Sequence, residues 1–189
     1  NDYKESGFLP EWSSPGLRNV MVGNNSASIV ADAYIKGLRN YDINTLYEAL
    51  LHGANNEGPL AAVGRKGVEY YNSIGYVPYD VKINENAART LEYAYDDFTI
   101  YQLAKALNRP REEQKLYAQR SQNYRNLFDP ETKLMRGKNK DGSFQKPFNP
   151  LKWGDAFTEG NSWHYSWSVF HDIKGLKDLM GGKANFIKM

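Results

Sequence analysis

The stretch 85–107 constrains the fold of this chain more than any other. Leu91, Tyr93, Ala94, Tyr95, Phe98, Ile100, Leu103, Ala104 and Leu107 fall on every side of a helical repeat and leave no clean polar face. A helix of that kind is expected to be buried nearly all round. Glu92, Asp96 and Asp97 nevertheless lie inside it. Glu92 and Asp96 are four residues apart, hence neighbours on one face, where like charges repel. Burying either without a partner costs several kcal/mol or forces the carboxyl to keep its proton. Arg89 one turn before Glu92, a metal ion or a polyhydroxylated ligand would each offset that cost. Ion pairing and a ligand-facing role both stay open for these carboxylates, because perturbed acids occur in either setting.

The rest of the chain supplies helices to surround this one. Residues 1–24 carry Gly7, Pro10, Pro15, Gly16 and Gly23 and read as an extended lead-in, with Phe8 and Trp12 plugging it onto the helical body. Asn25 or Ser26 caps an expected helix to about residue 39, and Asp42 caps another through about residue 53. So short a connection predicts an antiparallel hairpin. Asp32 and Lys36, one turn apart, form an ion pair by default. A short helix is expected over 61–71, with Arg65 as a buried charge whose carboxylate partner the sequence does not name. Pro110 starts an amphipathic helix with Leu116, Tyr117, Tyr124 and Leu127 inward, stopped by Asp129-Pro130. A buried helix followed by an amphipathic one is the inner–outer alternation of an α/α toroid. Residues 133–150 are turn-rich, with a short strand at 134–136 and a hairpin-type turn at Asp141-Gly142. A last helix over 173–180 ends at Gly181-Gly182. The expected class is all-α, built of antiparallel helical hairpins in one domain.

Within this helical frame the stretch 157–172, FTEGNSWHYSWSVFHD, carries the chemistry. A single carboxylate, Glu159, precedes a glycine, then two Trp, a Tyr, two His and an Asp. Indole and phenol faces stack on the C–H surface of a pyranose, and a carboxylic acid can protonate a glycosidic oxygen. Gly160 is expected to admit a backbone geometry that other residues avoid, and Trp163 and Trp167 to fold back beside Glu159 and strip water from it. The plainer alternative makes Trp163, Tyr165, Trp167, Val169 and Phe170 an aromatic core helix. Fourteen Tyr and four Trp agree with a flat, hydroxylated ligand. A net charge of +2 with well-mixed signs gives no reason to invoke nucleic acid, and the absence of Cys excludes disulfides and thiolate metal sites. No apolar run is long enough to span a bilayer, and no signal peptide opens the chain. His52 has no polar company and reads as structural.

TEGNSWHYSW at 158–167, followed by His171-Asp172 and by Gly175-Leu176 and LMGG at 179–182, resembles the catalytic-acid segment of glycoside hydrolase family 92. GFLPEW at 7–12, MVGNNSASIVADAYIKG at 21–37 and TLEYAYDD at 90–97 match the same family in the same order. These are calcium-dependent, exo-acting α-mannosidases with an N-terminal β-sandwich and an (α/α)6 barrel. The resemblance implies that this chain is the first part of the barrel, with residues 90–97 on an inner helix. It implies an inverting enzyme acting on terminal, α-1,2-linked mannose, with Glu159 as general acid. Trp12, Glu92, Asp96, Asp97, Asn161, Trp163, His164, His171 and Asp172 become candidate sugar contacts; Trp12 equally suits an anchoring aromatic. Inversion also needs a base about 6.5–9.5 Å from the acid, and the aspartates that supply it belong to a later motif. The implied partners are a mannose-containing glycan, the β-sandwich and the rest of the barrel. The implied metal is Ca2+, with ligands unassigned. The implied location is periplasmic, cell-surface or secreted, in a bacterium. A piece of barrel alone is expected to leave inner-helix surface bare, to self-associate and to be inactive. His164 stands where the family commonly has Gln, Asn25 where it has His, and Phe170 where it has Pro. The competing reading is a non-catalytic helical module that binds glycan or scaffolds.

Overall fold

Helices account for nearly all regular structure in the computed structural model, which describes residues 2–12 and 16–189. Pro15, used above for the lead-in, lies outside them. The described helices are α1 (Asp2–Ser6), α2 (Ser26–Ile35), α3 (Ile43–Asn55), α4 (Val68–Ile74), α5 (Asn86–Ala106) and α6 (Arg111–Arg120). Strands β1 (Phe128–Asp129) and β2 (Leu134–Met135) follow, then α7 (Ser162–Tyr165), α8 (Ile173–Leu179) and α9 (Lys183–Lys188). The all-α reading holds. The described residues divide into two compact units, Asn1–Glu69 with Glu92–Gln122, and Tyr70–Leu91 with Asn123–Met189.

In the first unit, α2 and α3 form the expected hairpin. Asp42 caps α3 by accepting from the amides of Asn44 and Thr45, both at 3.1 Å. The α2 cap differs from expectation, because neither Asn25 nor Ser26 caps with its own side chain. Glu11, from the lead-in, accepts instead from the Ser26 amide at 2.7 Å and the Ser26 hydroxyl at 2.9 Å. A distant anion thus answers the positive end of the helix. This helix also ends earlier than expected, at Ile35, where Gly37 turns left-handed at φ 92°. The lead-in is not wholly extended, since Asp2–Ser6 is a helical turn, and His52 packs edge-on against Phe8 at 4.8 Å.

Ala27 and Ala31 of α2, Tyr47, Leu50 and Ala54 of α3, Ile100, Leu103 and Ala104 of α5 and Tyr117 of α6 make the core of this unit. Alanines on α2 let the helices approach closely, and tyrosines fill the remaining space with their hydroxyls bonded. Tyr47 donates to Glu113 at 2.8 Å, and the Asn55 amide donates to the Tyr117 hydroxyl at 3.0 Å. Leu116, expected inside, is 45% exposed, because Tyr117 takes the inward position on a helix whose other residues are mostly polar. Asp32 and Lys36 pair at 2.7 Å on the surface.

The second unit is turn-rich, as expected from its glycines and prolines. Strand β1 pairs antiparallel with β2, and Lys138 bridges to Phe144 around the turn at Asp141-Gly142. Arg136 holds this region by bonding Asp129 at 2.8 Å and the Gln145 carbonyl. Helix α4 begins later than the expected 61–71, and α9 was not anticipated beyond Gly181-Gly182. Among the described residues no helix is long and apolar enough to cross a membrane.

Candidate active site

Helix α5 carries its three carboxylates into different surroundings within the first unit. Asp97 is wholly buried, with Oδ1 accepting from Arg65 Nη1 at 2.7 Å and Oδ2 from Arg120 Nε at 3.0 Å. Arg65 is the buried charge expected from sequence, and Asp97 is the partner the sequence did not name. Arg120 continues the network to Asn55 Oδ1 and the Ala54 carbonyl, each at 2.9 Å. Both oxygens of Asp97 are thus occupied by fixed guanidinium groups.

Asp96 is also wholly buried but less well served. Its Oδ2 accepts from the Asn24 amide at 2.6 Å, whereas its Oδ1 has no hydrogen-bond partner. Burial pushes its pKa well above the ordinary carboxylate value. The Arg65 charge and the Asn24 amide oppose that shift, and Glu92 and Glu11 add to it. Glu92, one turn earlier, is pushed up to about 7 by burial. Its stem lies against Gly23, where a Cβ would meet the Glu92 Cβ at 2.9 Å. Glycine is therefore required there, both for space and for a φ of 98°. Glu11 is raised by burial in the same way, with its bonds to Ser26 opposing. Arg89 does not serve as the partner considered for Glu92. Its Nη2 bonds Glu85 at 3.1 Å and its Nε bonds the Asn84 carbonyl at 3.0 Å, because Glu85 also lies one turn away from it.

Three carboxyls with raised pKa values do not make a cation cage. Calcium takes about six to eight oxygens, and among the described residues no group of three or more His, Cys, Asp or Glu is placed to hold a metal ion. These carboxylates do not fit the calcium that the resemblance implies. Trp12, the other candidate in this unit, is 51% exposed.

The second unit holds the Glu159 loop, and its backbone is tied at both ends. The Glu85 amide donates to the Asp155 carbonyl at 2.9 Å, and the amides of Ala87 and Ala88 both donate to the Ala156 carbonyl at 3.0 Å. The loop thus caps the start of α5, satisfying amides that have no partner inside the helix. The Gly154 amide closes the loop on the Gly160 carbonyl at 2.8 Å, and the Tyr165 hydroxyl holds the Thr158 carbonyl at 2.9 Å. At the far end Ser162 Oγ donates to the Met135 carbonyl at 2.5 Å, and the Met135 amide donates to Ser166 Oγ at 2.8 Å. Together these bonds pin α7 to β2.

Glu159 itself stands exposed on that loop at φ 46°. The left-handed turn was expected of Gly160, but Glu159 makes it. Gly160 meets a packing need instead, since a Cβ there would approach the Tyr165 ring at 3.3 Å. A non-glycine residue in this region costs about 1–2 kcal/mol. The two indoles do not enclose the carboxyl as expected. Trp167 packs edge-on against Phe186 of α9 at 5.5 Å, and Trp163 is 36% exposed. Nor is this stretch an aromatic core helix. Helix α7 is one turn long, Val169 is buried, and Phe170 is 67% exposed.

Asn161 and His164 form a capping box at the start of α7. Asn161 Oδ1 accepts from the His164 amide, and His164 Nδ1 accepts from the Asn161 amide, both at 3.2 Å. Asp172 caps α8 through Gly175 at 2.8 Å, and its Oδ2 accepts from the Tyr124 hydroxyl at 2.7 Å and Arg125 at 3.0 Å. Those donors pull its pKa below the ordinary value against the opposing effect of burial. His171 stands edge-on to Tyr124 at 5.5 Å. Sequence reasoning missed Glu11, Asn24 and Arg120 around the α5 carboxylates. Only Arg65 carried a signal, as a cation following the apolar run Ala61-Ala62-Val63.

The glycosyl hydrolase family 92 catalytic domain profile matches residues 1–189. The family GH92 inverting mannosidase of Bacteroides thetaiotaomicron superposes with a TM-score of 0.94 at 46% identity, covering 99% of this chain and 25% of that one. A second family GH92 α-mannosidase of that organism, solved with mannoimidazole, superposes at 0.87 with 34% identity, over 97% of this chain and 24% of that one. An uncharacterized secreted glycosidase of Arthroderma benhamiae is 31% identical over 98% of this chain and 28% of its own length. The chain therefore spans about a quarter of the length of these relatives.

Proposed function

With the premise that this chain belongs to glycosyl hydrolase family 92, as an all-α segment of its catalytic (α/α)6 domain, we propose that it supplies the general acid of an inverting α-mannosidase. Glu159 is that acid. The observation that carries the reading is its exposed carboxyl at φ 46° on a loop fastened by the Gly154–Gly160 and Tyr165–Thr158 bonds. Backbone strain kept at an exposed acidic residue, on a rigidly tied loop, suits a group held for chemistry. A general acid must sit where the glycosidic oxygen arrives and give up its proton as the C–O bond breaks. The substrate we infer is a terminal α-mannoside, α-1,2-linked, of a glycan met outside the cell. In the first unit Glu92 and Asp96 are the candidate hydroxyl acceptors, since burial raises the pKa of both and Asp96 Oδ1 has no hydrogen-bond partner. Asp97, with both oxygens on arginines, is assigned to holding α5 in place. Asp172 likewise orients α8.

On this reading the base comes from another motif of the family. The 189-residue chain alone is accordingly proposed to leave α-mannosides intact, and calcium to act in the parent enzyme through ligands beyond these residues. Glu159→Gln in the full-length parent enzyme tests the acid. It should lower turnover of α-mannobiose by roughly 10²–10⁴-fold while sparing activated aryl α-mannosides, whose leaving groups need little protonation. Equal losses on both substrates would remove Glu159 from that role.

A further inference from the structure

Two exposed side chains on and next to the Glu159 loop, Trp153 and His164, keep surface that the fold does not use. Trp153 is 65% exposed, although it is the largest apolar side chain on its loop. The Gly154–Gly160 bond of 2.8 Å fastens the residue after Trp153 to the residue after Glu159. The imidazole of His164 meets the indole edge-on, with ring centroids 5.8 Å apart at 81°. Their polar neighbours are already engaged. Lys152 pairs with Asp155 at 2.8 Å, and Asp155 also accepts from the Tyr79 hydroxyl at 3.1 Å and from Gln145 at 3.3 Å.

The orientation of His164 is set by its partner. A backbone amide can only donate, so Nδ1 accepts from the Asn161 amide at 3.2 Å and the ring N–H is on Nε2. Because the capping box holds the ring from the Nδ1 side, the Nε2–H is the edge left to an incoming ligand. An exposed indole face next to a fixed hydroxyl donor is what one pyranose ring needs: apolar C–H surface on the aromatic, a hydroxyl on the donor.

We propose that Trp153 and His164 form the subsite for the leaving-group sugar, the indole as its stacking face and the imidazole Nε2–H as a donor to one of its hydroxyls. This rests on the reading of Glu159 as general acid. The acid delivers its proton to the leaving oxygen and so stands on the leaving-group side of the bond. Residues fastened to its own loop therefore reach the leaving group.

Three substrates separate the claims in the full-length parent enzyme. α-Mannobiose needs both the acid and a seat for its leaving sugar. Methyl α-mannoside needs the acid alone, and α-mannosyl fluoride needs neither. Trp153→Ala should lower kcat/KM on mannobiose by about 10- to 100-fold, chiefly through KM, as expected for a lost aromatic face and the apolar area it covers. It should leave the other two substrates within about threefold, and Trp153→Phe should restore most of the loss. His164→Ala should cost mannobiose more than methyl mannoside. An equal loss on mannobiose and methyl mannoside in Trp153→Ala, with an unchanged melting temperature, would overturn the subsite. Equal losses on all three substrates in His164→Ala would overturn the donor role and leave only bracing of the loop. The acid itself is read separately from Glu159→Gln, which should spare only the fluoride. If it costs the fluoride as much as methyl mannoside, the acid assignment fails whatever Trp153 shows.

Discussion

Replacing Glu92 by Gln changes one proton and almost no shape, and its effect on stability follows from the burial of that carboxyl. Burial raises its pKa from 4.5 to about 7. At about 1.4 kcal/mol per unit, the shift corresponds to a cost of roughly 3 kcal/mol for the charged form. The sign follows from proton binding. The folded chain holds this proton more tightly than the unfolded chain. Below about pH 4.5 both states are protonated and the contribution is fully present. Between about pH 4.5 and 7 the unfolded chain releases its proton first, and stability falls. Above about pH 7 both are ionised and the folded state carries the whole cost. Glutamine imitates the protonated carboxyl at every pH. Glu92→Gln should therefore match the parent residue near pH 4 and exceed it by roughly 2–3 kcal/mol at pH 8, about 5–10 °C in melting temperature for a chain of this size. Asp96 and Glu11 are raised by burial too, and Arg65 faces them, so the absolute pH profile is steeper than one group explains. The difference between the two chains isolates Glu92. Urea unfolding at half-unit steps from pH 4 to 8 reads it directly. A difference that stays constant across that range, or a variant less stable at pH 8, would refute the reasoning.

Asp97→Ala leaves Arg65 and Arg120 buried without their carboxylate and should cost about 3–5 kcal/mol in urea unfolding; a loss under about 1 kcal/mol would contradict the buried triad. Because Glu159 sits at φ 46°, Glu159→Gly should be more stable than Glu159→Ala by about 1 kcal/mol, measured as a difference in melting free energy. Ile29, Ile35 and Leu38 are 70%, 54% and 62% exposed, so the isolated chain is expected to self-associate in sedimentation velocity at about 100 µM, and a strictly monomeric profile would count against it.

Helical periodicity located α3, α5 and α8 to within a few residues, because each is set by local signals such as Asp42 as a cap and Gly181 as a stop. Helix α6 starts after Pro110 as expected but ends at Arg120, well short of the expected stop at Asp129-Pro130, with Tyr124 and Leu127 in a separate 3₁₀ turn. Where the outcome depended on a partner distant in sequence, the reading failed. The α2 cap is Glu11, fifteen residues earlier, and no local pattern marks it. The Asp97 triad joins residues from three segments, and Arg65 alone announced it. Arg89 illustrates the limit of spacing, since Glu85 and Glu92 are both about one turn away and only the structure shows that Glu85 is its partner. At the Glu159 loop the residue types were legible, but which of them bends was not. A glycine beside a glutamate suggests that the glycine takes the left-handed position. Here Tyr165 crowds Gly160 and the turn falls to Glu159.

The pattern of uncompensated cost argues against the scaffold alternative. A segment kept only for packing would need what Asp97 has, a buried charge met on both oxygens. Glu92 and Asp96, one turn apart on α5, lack that compensation: Glu92 is raised by burial, and Asp96 keeps an oxygen with no hydrogen-bond partner. Glutamine would remove the charge penalty at 92 with little change of shape, and an apolar side chain would remove the unpaired oxygen at 96. Glu159 is similar, since glycine would relieve its backbone, yet a carboxyl stands there exposed on a loop braced by the start of α5 and by Tyr165 of α7. Each of these costs is local, avoidable by one substitution and attached to an oxygen acid. The well-compensated charges, Asp97, Asp129 and Asp172, each have an arginine partner. Structural duty explains the second group. The first makes sense where a ligand supplies the missing partner, and a polyhydroxylated sugar has the donors to do so.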